Sequence, residues 1–245
     1  WGYVYTSWSI MGRLGLVSFG HGAFLGIGAY VVTMGWNHYG LTPWLGVPIA
    51  LAVTAVVAFL IGYPCFRYKI VGHYFALVTL ALSEVTRLLI VALRDHTGGS
   101  LGVTPKPALA DTSCSLFALQ FSDKLVWFYI VLAFWLWGLW IWRKVDQSMG
   151  RLALEAISQE EDASASIGIN VTRLKLGVTM LSALMTCVGG ARYAQYQLDV
   201  NPGTVSGVGI SLQRVVGGVE GGVDGADWPR GGAAARRGVG AGGTL

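Results

Sequence analysis

Three stretches of this chain, Leu14–Trp36, Trp44–Tyr63 and Leu125–Trp142, contain no Lys, Arg, Asp or Glu. Each comes close to or exceeds the ~20 residues a helix needs to cross ~30 Å of hydrocarbon. Two further runs, Gly72–Leu93 and Leu176–Tyr196, have similar length and carry only isolated charges. Hydrocarbon offers no hydrogen-bond partners, so the backbone inside it must satisfy itself, and a helix does so within one segment. The predicted fold is all-α, a polytopic transmembrane helical bundle of about five spans. Composition agrees: 12% of the 245 residues are charged, about half the share in soluble domains.

Turn-rich joints separate the runs, among them "NHYGLTP" and "RDHTGGSLGVTPKPALADTSC". Eight basic residues, Arg13, Arg67, Lys69, Arg143, Lys144, Arg151, Arg173 and Lys175, fall on one side by parity. Arg94, Lys106 and Lys124 make three on the other. Lys and Arg concentrate in cytoplasmic loops, which places the loop 143–175 in the cytoplasm and residues 37–43 and 95–124 outside. The basic residues are dispersed between apolar runs instead of clustered on a soluble face, which argues against a nucleic-acid partner. Cys65, Cys114 and Cys187 match no metal or disulfide spacing. His21, His38, His73 and His96 make no HxxxH or HExxH pair, so no metal site and no catalytic constellation is expected.

The stretch "GLVSFGHGAFLGIGAY" raises the question of how its helix packs. Ser18, Gly22 and Gly26 recur every four residues, and Ser182, Thr186, Gly190 and Ala194 repeat the device near the other end of the chain. Small residues at this spacing let helix backbones approach closely in lipid, as a tight multi-helix bundle requires. His21 is either a group in a pore or a histidine hydrogen-bonded to a neighbouring helix. In the third run Glu84 and Arg87 lie one turn apart, close enough to pair. With Thr79, Ser83 and Thr86 they occupy one arc. Ionisable groups at such depth face the bundle interior or an aqueous path. That leaves two readings, a lining for a translocation route or a structural clamp.

Between the fourth and fifth runs, Ser148–Ile169 is amphipathic and rich in Ala and acidic residues. Ser148 can cap a helix there and Gly168 can end a short one. Docking surface and solvated loop both fit.

Four motifs in order, "GLVSFGHGAFLGIGAY", "GHYFALVTLALSEVTRLL", "TGGSLGV" and "GRLALEAISQEEDASASIGINVTRLKL", resemble the permease subunits of branched-chain amino acid ABC importers, of the LivM type. The resemblance runs from about Trp8 to Gln213. It implies a domain over 1–213 that carries no chemistry of its own and sits in the bacterial inner membrane. Its implied partners are a second permease subunit, two cytoplasmic ATPase subunits and a periplasmic or extracellular substrate-binding protein. ATP and Mg belong to the ATPases, which agrees with the absence of a GxxxxGK[ST] phosphate loop here. A coupling helix near Gln159, Glu160, Glu161, Asp162, Ala163, Ser164 and Gly168 would sit on an ATPase. There the family pattern Glu-Ala-Ala, three residues, Gly becomes Asp162-Ala163-Ser164 with Gly168. Branched-chain amino acids are the implied substrate. An importer of urea, short amides or other amino acids in the same family is the alternative, with a stand-alone channel or carrier behind it.

Two expectations concern the ends. The chain opens at Trp1 without a signal-peptide pattern and reads as an internal fragment lacking an upstream apolar segment. From Arg214 it turns into "RVVGGVEGGVDGADWPRGGAAARRGVGAGGTL", a composition expected of shifted-frame GC-rich coding sequence. A tail so rich in glycine and arginine is expected neither to span nor to pack.

Overall fold

The structure is a computed structural model and describes residues 1–12, 17–70, 72–105, 114–115, 120–121 and 124–206. Its main helices are α1 (Gly2–Gly12), α2 (His21–Tyr39), α3 (Pro43–Arg67) and α4 (His73–Ala92). A short α5 (Arg94–Thr97) and a two-residue antiparallel pair, β1 (Cys114–Ser115) with β2 (Gln120–Phe121), lead to α6 (Lys124–Asp146). Then come α7 (Met149–Gln159), α8 (Glu161–Ser166), α9 (Val171–Gln197) and α10 (Pro202–Ser206). The expected Gly/Ala/Arg-rich tail lies outside the described residues.

Four described helices, α3, α4, α6 and α9, are long and apolar enough to cross a membrane. The fifth expected run, Leu14–Trp36, contributes α2, which starts later, at His21, and lies against both α3 and α9. Its polar ends, His21 and Asn37–His38, lower its hydropathy, yet most of its length is buried in the bundle. α1 was not foreseen as an element, because "YTSWS" dilutes a short apolar segment. Tyr3 through Met11 are nonetheless all buried, and α1 packs on α9 and α6.

The bundle carries apolar side chains on its outside and several hydroxyl residues within its core. Leu45, Val56, Phe59, Leu60, Leu77, Leu88, Phe128 and Trp140 point outward, while Thr6, Ser7, Thr33, Thr54, Ser83, Ser182 and Thr186 are buried. Lipid is as apolar as leucine, so inner packing must come from dispersion between close backbones and from interhelical hydrogen bonds. Small residues supply the closeness. On α3 the buried positions Gly46, Ala50, Thr54, Ala58 and Gly62 recur every fourth residue. Gly46 faces Val32 of α2, and Gly62 faces Leu176 of α9.

Where α2 crosses α9 the backbones touch. A β-carbon added to Gly28 would overlap the carbonyl oxygen of Cys187, and one added to Gly190 would overlap that of Leu25. Gly22 and Gly26, expected on the small-residue ridge, are buried in α2, and Gly28 is where α2 meets the α9 backbone. Ser18 is not in α2 at all: its hydroxyl accepts from the Gly20 amide at 3.3 Å, in the turn that leads into the helix.

At the end of the bundle away from α8, α9 stops at Leu198, whose φ is +52°. The chain then doubles back. Val200 pairs with Val103 through N–H···O bonds of 3.0 and 3.1 Å, and α10 tucks against α2 and α4 with Val205 buried. The "TGGSLG" joint makes this possible. Gly98, Gly99 and Gly102 all have positive φ, and a side chain at Gly102 would overlap the Val200 carbonyl.

Candidate functional site

A polar seam joins α1, α2 and α9 in the bundle interior. Ser182 Oγ donates to the Ser7 carbonyl at 2.6 Å and lies 2.8 Å from His21 Nε2. Because the serine proton is used on Ser7, His21 must donate from Nε2. Ser7 and Thr186 hydroxyls meet at 2.8 Å. Of the two readings of His21, the geometry matches the hydrogen bond to a neighbouring helix. Ser182 and Thr186 thus hydrogen-bond across the bundle as well as being small.

On α4 the expected arc divides into two zones. Thr79, Ser83 and Thr86 are buried, with Phe75, Ala76 and Ile90 on the same face. Thr79 Oγ1 accepts from the Phe19 amide at 3.1 Å, which stitches α4 to the turn before α2. Glu84 and Arg87 lie at the edge of this face, each side chain 35% exposed. They pair with one another: Arg87 Nε donates to both Glu84 carboxylate oxygens at 3.0 and 3.1 Å, and its Nη2 adds a further contact. Among the described residues the ion pair is internal to α4. A charged pair still open to its surroundings halfway along an apolar helix is poorly matched to lipid.

The third assembly is at the α7–α8 end. α7 buries Leu154 and Ile157 and exposes Leu152. Ser148 precedes α7, but its hydroxyl donates back to the Val145 carbonyl at 2.7 Å instead of capping the helix. The backbone then breaks at Glu160, with φ −148° and ψ 106°, and resumes as α8. Gln159 consequently closes α7, and the short helix expected from Gln159 to Gly168 is narrower, Glu161–Ser166. Gly168, with φ +93°, lies in the turn towards α9. A residue with a β-carbon is strained at that angle.

Two ion pairs hold α8. Glu161 Oε2 receives a 2.6 Å bond from Lys175 Nζ, and Lys175 is only 4% exposed, in the first turns of α9. Asp162 Oδ1 receives a 2.6 Å bond from Lys69 Nζ in the turn between α3 and α4. Lys69's hydrogen bond and charge hold the Asp162 carboxyl below its usual range, and Asp162 raises the Lys69 ammonium in return. Ser164 is buried and donates to the Glu160 carbonyl at 2.8 Å. Ala163, Ala165, Ser166, Ile167 and Gly168 remain exposed. Both lysines escaped sequence reading except as loop charges, because their partners lie 93 and 14 positions away.

A bundle of long apolar helices with a polar seam inside it, an ion pair along one span and a short helix held outside the spans defines a multi-pass membrane protein. Residues 7–231 match the family described as branched-chain amino acid transport system / permease component. The chain belongs to that family. It is 33% identical over 212 residues to the high-affinity branched-chain amino acid transport system permease protein LivM of Salmonella typhimurium. Identity to the LivM protein of Escherichia coli is also 33% over 212 residues. Each alignment covers 79% of this chain and 49% of the relative, so the chain spans about half the length of the curated relatives it matches. No solved structure matches it.

Proposed function

We propose that this chain serves as a transmembrane permease subunit of an ATP-driven ABC importer that moves branched-chain amino acids across the bacterial cytoplasmic membrane. The observation that carries the reading is the family match over nearly the whole chain, joined to a short exposed helix anchored at one end of the bundle. On this reading α8 docks on a cytoplasmic ATPase. Its contact face is Ala163 and Ser166, with Ile167 just beyond the helix, turned away from the two anchored carboxylates. The loop 143–175 lies in the cytoplasm, in line with the excess of Lys and Arg on that side. A second permease subunit completes the pathway, and a substrate-binding protein delivers cargo to the other face. ATP and Mg stay on the two ATPase subunits.

The edge of α4 bearing Glu84 and Arg87, beside the buried Thr79 and Ser83, lines the translocation route or the seam with the second permease. Either setting supplies the polar surroundings the ion pair requires.

Reconstitution in proteoliposomes with the companion subunits tests the reading. ATP-dependent accumulation of leucine, isoleucine or valine is expected, with Ser166→Cys crosslinking to the ATPase. Absence of the crosslink in a complex that still transports would refute the docking surface. Accumulation of urea or a short amide instead would refute the substrate.

A further inference from the structure

α8 has six residues, far short of the ~12–15 at which an isolated helix becomes even marginally stable. Its position must come from what it is tied to. Consecutive helical residues project ~100° apart, and Glu161 and Asp162 use this to reach two different elements. Glu161 grips Lys175 at the root of α9, and Asp162 grips Lys69 in the α3–α4 turn. Those two elements are packed together: Gly62 of α3 faces Leu176, the residue after Lys175. The short helix therefore straddles a junction of the bundle and leaves its opposite face exposed.

We infer that Lys175 and Lys69 are positioning residues for energy coupling, resting on the functional reading above. The pairs Glu161–Lys175 and Asp162–Lys69 are the two struts through which displacement of α8 by an ATPase reaches α9 and the α3–α4 hairpin. The struts differ in character. Lys175 is buried, so its bond is shielded from salt and competing water. The Lys69–Asp162 bond is between side chains 66% and 79% exposed, where ions screen it.

The test uses the assembled complex in proteoliposomes and reads ATP hydrolysed per substrate carried, together with the α8–ATPase crosslink. Lys175→Met and Lys69→Glu are each expected to raise that ratio about fivefold or more while the crosslink persists. Exchanging the charges, Lys69→Asp with Asp162→Lys, should bring the ratio back towards wild type relative to Asp162→Lys alone. Should Lys175→Met fail to assemble, Glu161→Gln with Lys175→Met leaves no unpaired buried charge and is read instead. A wild-type ratio in the assembled Lys175 and Lys69 variants, or no recovery on charge exchange, overturns the struts. A wild-type complex without ATP-driven uptake would overturn the functional reading, and is told apart because it fails before any substitution.

Discussion

At the scale of single residues, Gly28 and Gly190 decide how close α2 and α9 come. Replacing either by Ala pushes a methyl into a backbone carbonyl of the facing helix, a partner that cannot rotate away. Such overpacking costs roughly 1–3 kcal/mol, so each variant is expected to melt earlier in detergent. Gly177, also in α9, has nothing within 4 Å of a built β-carbon. Gly177→Ala should be neutral or stabilising by up to ~1 kcal/mol through helix propensity. Equal melting of all three would show that the crossing is looser than the geometry has it. The sequence pointed to small residues at four-residue spacing, and Gly190 lies on such a series. It did not point to Gly28, which lies off the four-residue series on α2 and meets the α9 backbone. Where the backbones meet depends on the crossing angle and on α9 being the neighbour. The polar partners were equally hidden. Nothing local to Lys69 announces Asp162, 93 positions later.

At the scale of elements, the long spans were legible because a run without charge is an unambiguous physical statement in a chain of this composition. α1 was not, since its hydroxyl residues make it read as polar, whereas they turn inward, Ser7 bonding to Thr186 of α9 and Ser9 to Trp142 of α6. The ridge on α3, with Gly46, Ala50, Thr54, Ala58 and Gly62 at regular spacing, was visible in the sequence and was not singled out. α4 bears the prediction at this scale. Glu84 and Arg87 satisfy one another, so Glu84→Gln or Arg87→Gln alone leaves a lone charge halfway along an apolar helix. The two single variants should each impair assembly and transport at least as much as the double variant. A double-mutant cycle measures this. Losses that simply add would mean that each side chain answers to a different group on a partner subunit.

At the scale of the whole molecule, α9 links both ends of the bundle. It is 27 residues long, about 40 Å at ~1.5 Å per residue. One end is pinned through Lys175 to α8 and the other runs into Leu198 and the Val103–Val200 pairing. Along its length it packs on α1, α2 and α3 through small and hydroxyl residues. On the strut reading α9 is displaced as a unit, so a disturbance at one end changes what the other can do. Gly102→Ala should loosen the far end, because it forces an L residue into φ +82° and against the Val200 carbonyl. It can be combined with Lys175→Met. The sites are too far apart to touch, so their effects on thermal stability should add to within about 0.5 kcal/mol. Their effects on uptake should not add: once the α8 end no longer drives α9, a fault at the other end has less left to spoil. If the uptake losses combine as independently as the stability losses, α9 anchors the two ends without carrying motion between them.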